Sequence, residues 1–150
     1  MFSRIQQKKM GIYYIVDECR QSGNILTIRG WMCSTKYRFK NVHFLIEDKT
    51  KSSFLIKGKY GVTRNDVYQN LKIDNAKQSG FYAQAIVENI KEYNVWLVFS
   101  CESKKYRLRL GKVISDGEVN KEREGRVVEI DSTEKVVDIV TEMNSKNSYT

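Results

Sequence analysis

The chain has no proline in 150 residues, a single histidine, His43, and three cysteines. With no proline to pre-set turns, they fall to Gly, Asn, Asp and Ser. One histidine cannot build a zinc site with Cys19, Cys33 and Cys101, which are far apart and form no Cys-x-x-Cys spacing. His43 has no evident partner for a nucleophilic triad. Each cysteine lies in or beside an apolar strand-like run and is expected to be a reduced, buried small hydrophobe. No apolar run approaches the roughly 18 residues that a membrane-spanning helix needs. Met1 to Gly11 is Gln/Lys-rich and has no apolar segment of the secretory kind. The expectation is a cytoplasmic chain, or a piece of a larger protein, working free or at the inner face of the membrane.

Catalytic signatures are equally scarce. There is no phosphate loop, no nucleophile elbow and no His-Glu-x-x-His. Asp17, Glu18, Glu47 and Asp48 stand at strand ends without a spacing that implies acid–base work. The chain is therefore expected to be no enzyme and to need no cofactor. Acids are sparse in its body. Residues 117–150 hold eight acids and five bases, which leaves 21 bases against 10 acids before them, a net of +11. A basic body with an acidic end points to an anionic partner, or to a tail that folds back.

Apolar residues make up 41% of the chain, enough for a core. They come in short runs. Ile12–Val16, Ile25–Met32, Val42–Asp48, Ser52–Lys57, Phe81–Val87, Val95–Cys101 and Tyr106–Leu110 read as seven strands at sandwich spacing. Leu26, Ile28 and Gly30 share one face of the second run, with Ile25, Thr27, Arg29 and Trp31 on the other, so its alternation is blurred. Thr63 or Asn65 is placed to cap a short helix to about Asn70, with Asp66 in its first turn. After Ser115-Asp116-Gly117 the character changes. Val127–Ile130 reads as a short strand. Val136, Ile139, Val140 and Met143 then fall at i, i+3, i+4 and i+7, the stripe of a C-terminal helix behind an Asp131 or Ser132 cap. That stripe must pack on its own domain, a partner domain or a second copy in a homodimer. The organisation expected is an N-terminal extension (1–11), a β-sandwich (12–116) and an acidic extension with a short helix (117–150).

One stretch stands apart: Tyr60-Gly61-Val62-Thr63-Arg64-Asn65-Asp66-Val67, followed by Ser79-Gly80-Phe81. A guanidinium beside a carboxylate can grip a sugar hydroxyl pair or a phosphate. The same pair can instead satisfy an irregular loop. Tyr60 reads as a core ring or a sugar platform. Trp31 and Trp96 likewise read as core or as stacking surfaces. Lys104, Lys105, Arg107, Arg109 and Lys112, with Arg29 and Arg38, can make a basic face for nucleic acid or another polyanion, or a merely solvated one.

The pattern Tyr-Gly-x-x-Arg-x-Asp-Val … Ser-Gly-Phe, with Gly30-Trp31 on the second strand, resembles a β-sandwich accessory module attached to bacterial glycosyltransferases of surface-polysaccharide assembly. The resemblance covers roughly Tyr13 to Val113. It implies an antiparallel, immunoglobulin-like sandwich and a non-catalytic role in glycan recognition, beside a glycosyltransferase catalytic domain or its glycan acceptor. Arg64, Asp66, Tyr60, Trp31 and Trp96 are then the ligand-binding candidates. Members commonly carry proline near the arginine; here there is none.

Overall fold

The computed structural model describes residues 10–88, 90–114, 119–121, 126–130, 136–139 and 141–142. Its β1 (Ile12–Ser22) and β2 (Ile25–Ser34) form a hairpin over Gly23-Asn24. β3 (Lys40–Asp48) returns as β4 (Ser53–Ile56) through a turn in which the Asp48 carboxylate accepts from the amides of Thr50 and Ser52. Next come β5 (Gly58–Val62), helix α1 (Asn65–Leu71), a 3₁₀ turn (Asp74–Ala76) and β6 (Gly80–Ile86). β7 (Glu92–Cys101) and β8 (Lys104–Ile114) make a second hairpin as long as the first. β9 (Val119–Lys121), β10 (Arg126–Glu129), β11 (Val136–Ile139) and β12 (Thr141–Glu142) complete the described strands.

They form two sheets, in the orders β12-β1-β2-β6-β5 and β11-β10-β8-β7-β3-β4, with β9 also on β8. Neighbours run antiparallel, apart from β12, which is parallel to β1. Alternate residues of the long strands face inward, so both sheets contribute to one core. Tyr14, Val16, Leu26, Ile28 and Phe81 of the first sheet join Phe44, Val95, Leu97, Phe99 and Leu108 of the second. Phe44 and Phe81 span the two sheets with ring centroids 5.8 Å apart.

The blurred alternation of β2 has a physical cause: both faces are covered. Trp31 and Cys33 point away from the main core and pack with Ile15, Val67 of α1 and Ala76 of the 3₁₀ turn. The helix and turn thus seal the outer face of the first sheet around Trp31.

Three expectations are corrected. The C-terminal helix is absent from the described residues: Val136–Ile139 and Thr141–Glu142 are strands. Val136, Val137 and Ile139 are β-branched and suit strands, and the edges of β10 and β1 offer partners. Val140 and Met143 of the same stripe lie outside the described residues. Gly58–Val62, which falls outside the seven runs read as strands, is itself a strand paired with β6. Neither Thr63 nor Asn65 is the N-cap of α1; Arg64 is, and its side chain makes no capping hydrogen bond. Beyond residue 116, β9 and β10 pair with β8, and β12 with β1. Of the N-terminal extension only Met10 and Gly11 are described; Met10 is buried in the main core.

Candidate functional site

The Tyr60–Phe81 stretch threads from the edge of the first sheet, across its outer face and back. At Gly61 the β5–β6 register shifts and the backbone takes φ 96°, which only glycine adopts without strain. The bulge lets the chain leave the edge and enter α1. Tyr60 donates its hydroxyl to the Met32 carbonyl at 2.6 Å, and the Met32 amide donates to the Ser79 carbonyl at 3.0 Å. Both backbone groups of Met32 are thereby taken up by the motif. Ser79 Oγ donates to Ala76 at 2.7 Å. A Cβ on Gly80 would come 3.0 Å from the Val62 carbonyl and 3.1 Å from Arg64 Cγ, so its hydrogen lets the crossing segments meet.

Arg64 is the centre of this arrangement. Its Nε and Nη2 donate to Asp66 Oδ1 and Oδ2 at 3.0 and 2.9 Å, a two-point fork. Its Nη1 lies 3.5 Å from Oδ2 of Asp17, at the β1 bulge. The side chains of Arg64 and Asp17 are 18% and 15% exposed, so little guanidinium edge faces solvent. The hydrogen bonds from Arg64 hold the Asp66 carboxyl below the usual range, and Asp66 pushes the guanidinium up in return. Arg64 and Asp66 are therefore engaged with the fold, as is Tyr60 through its hydroxyl, whose pKa is raised first by burial.

Trp31 is wholly buried, which closes it to any ligand. Trp96 lies half-buried on the outer face of the second sheet. The Arg107 guanidinium sits 4.0 Å from its ring centroid, and its Nε1 donates to Glu47 at 3.2 Å. The five sequence candidates thus do not converge on one site. Part of the basic face is paired with carboxylates. Arg107 reaches Glu47 at 3.9 Å, Lys104 reaches Glu129 at 3.9 Å, and Lys112 and Lys49 share Glu92 at 3.0 and 3.5 Å.

What the motif does border is a cleft of ≈ 220 Å³. Tyr60 and Gly61 form one side, and Tyr37 and Phe39 of the β2–β3 loop another. Cys33 also lines it, with Arg38, Asp74, Asn75 and Gln78. The walls are fixed from behind. Asn75 Nδ2 donates to the carbonyls of Ser34 and Tyr37, both at 3.0 Å, and Ser34 Oγ accepts from the amides of Lys36 and Tyr37. Burial pushes the Cys33 thiol up to about 12, so it stays protonated and is a poor nucleophile. Arg38, Asp74 and Gln78 are exposed at this cleft. Sequence reasoning missed it, because its residues come from three separated segments. The only signal was the cluster of polar and aromatic residues between Ser34 and Lys40.

Comparison with family models, with curated proteins and with solved structures finds no match to this chain. Among the described residues no group of His, Cys, Asp or Glu could hold a metal ion, and no helix is long and apolar enough to cross a membrane.

Proposed function

We propose that the chain is a non-catalytic glycan-recognition module, accessory to a glycosyltransferase of bacterial polysaccharide assembly, and that the cleft beside Tyr60 and Gly61 takes one sugar ring. The observation that carries this reading is the cleft itself. It has aromatic sides and a polar set of Arg38, Asp74 and Gln78 that supplies donors and acceptors together, the combination suited to a polyol. Its volume falls below the roughly 300–1,000 Å³ of a drug-sized site, so a single ring fits better than a nucleotide cofactor. The strand order supports an immunoglobulin-like reading: β1-β2-β6-β5 facing β8-β7-β3-β4 follows the A-B-E-D and G-F-C-C′ orders. In this reading the motif is the framework that shapes the cleft, and a catalytic domain at the inner membrane face supplies the chemistry.

The test is a chemical-shift titration of labelled protein with a panel of neutral and acidic mono- and oligosaccharides. Shifts confined to the Tyr37–Phe39, Tyr60–Gly61 and Asp74–Gln78 segments are expected. Arg38→Ala and Gln78→Ala should each weaken binding several-fold while leaving the melting temperature unmoved. A panel that leaves these segments unshifted overturns the reading.

The basic excess favours a second reading, a polyanion-binding module. The carboxylate partners of Arg107, Lys104, Lys112 and Lys49 weigh against it.

A further inference from the structure

The second sheet ends at β4. An edge strand presents one row of amides and carbonyls outward, and natural edges are normally blunted by charge, proline or a cover. This one carries two large apolar side chains in the open: Phe54 is 46% and Leu55 74% exposed. Lysines flank it on both sides, at Lys49 and Lys51 before it and Lys57 and Lys59 after it, all exposed. Lys49 lies 3.5 Å from Glu92. Nearby acids are engaged as well: Asp48 holds the β3–β4 turn, and Glu47 takes Trp96 Nε1.

We infer that β4 is a docking edge for an extended segment of a partner protein with an apolar centre and acidic ends, which adds to the sheet as a further strand. Main-chain hydrogen bonds supply the pairing, Leu55 on the outer face and Phe54 on the inner face each meet apolar groups of the added strand, and Lys51 and Lys57 meet the acidic ends. The same charges select against a second copy of this chain. Antiparallel self-pairing centred on Phe54 sets Lys51 of one copy opposite Lys57 of the other, a like-charge pair at each end. The site lies apart from the sugar cleft and does not depend on it.

The probe is a synthetic nonapeptide, Asp-Glu-Thr-Val-Thr-Val-Thr-Glu-Asp, blocked at both ends. Its comparators are the same peptide with both valines replaced by proline, and one with lysine in place of every acid. Amide hydrogen exchange of the full chain is followed residue by residue. The acidic peptide should slow exchange at outward-facing amides of Ser53–Ile56 at least fivefold, and the proline peptide should not. The Lys51→Glu/Lys57→Glu variant should lose the acidic peptide at least tenfold and gain the lysine peptide. Leu55→Ser should weaken the acidic peptide without changing the melt. No protection of Ser53–Ile56 would overturn the inference. So would equal binding of the proline peptide, which would mean charge attraction alone. A dimer in sedimentation that protects these amides without peptide would assign the edge to a second copy and overturn it too.

Discussion

The Arg64 guanidinium bridges two carboxylates from different elements, Asp66 in the first turn of α1 and Asp17 at the bulge of β1, the latter at 3.5 Å. The pair Arg64–Asp17 ties the helix to the sheet it covers. Removing Arg64 leaves a carboxylate that is 15% exposed without its cation. We expect Arg64→Ala to cost about 1–3 kcal/mol, and Asp66→Ala less, because its side chain is 34% exposed. The Arg64→Ala/Asp17→Ala double variant should cost less than the sum of the singles, since they lose the same contact. Urea unfolding of the singles and doubles checks this. Additive losses would mean that the two groups act independently.

The same cluster sets a pH dependence. Asp66 has its folded-state pKa lowered, first by its hydrogen bond from Arg64. Its contribution is therefore present above the unfolded carboxyl value, near pH 4, and is lost as pH falls through the lower folded value. The stability gap between the parent and Asp66→Asn should be full at pH 7 and shrink below about pH 4. Urea midpoints at pH 7, 5 and 3 measure it. A gap that widens in acid would contradict the assignment.

The two tryptophans should behave oppositely. Trp31→Ala should cost about 3–5 kcal/mol, the usual loss for a buried ring, because it empties the space between β2 and α1. Trp96→Ala should cost about 1 kcal/mol, mostly through the Arg107 stack. In Trp96→Phe, which keeps only Trp31, acrylamide should quench the remaining fluorescence poorly; in Trp31→Phe it should quench well.

A short DNA duplex tests the polyanion reading. Binding at low salt is expected from the excess of bases over residues 1–116. It should fall steeply as salt rises to physiological strength, because counterion release drives it. Tight, sequence-dependent binding at physiological salt, read by fluorescence anisotropy, would favour nucleic acid over glycan.

The strands beyond residue 116 are predicted to be part of the fold. Val127 is fully buried on β10, against Leu108 of β8. Ending the chain after Ile114 removes about 1.5–3 kcal/mol for Val127 alone and opens the β8 edge. A lower melting temperature and concentration-dependent association in sedimentation are expected.

Much of the fold was legible in the sequence because strand faces and turns are local. Val42, Phe44 and Ile46 alternate, Gly23-Asn24 turns, and each needs only its neighbours to be read. The motif was visible too, but its purpose was not. That Arg64 would find Asp17, that Tyr60 would close on Met32, and that Val67 would seal Trp31 depend on segments brought together from far along the chain. β5 hid because an edge strand with a glycine bulge has no clean alternation. Val136 and Ile139 fit a helical stripe and a strand equally well as letters. The open edges of β10 and β1 decided for strand, since β-branched residues gain more from a ladder and its packing than from a lone helix. The cleft is wholly a product of tertiary structure. The sequence determined which residues could line it, and the crossing of β5, the β2–β3 loop and the 3₁₀ turn decided that they do.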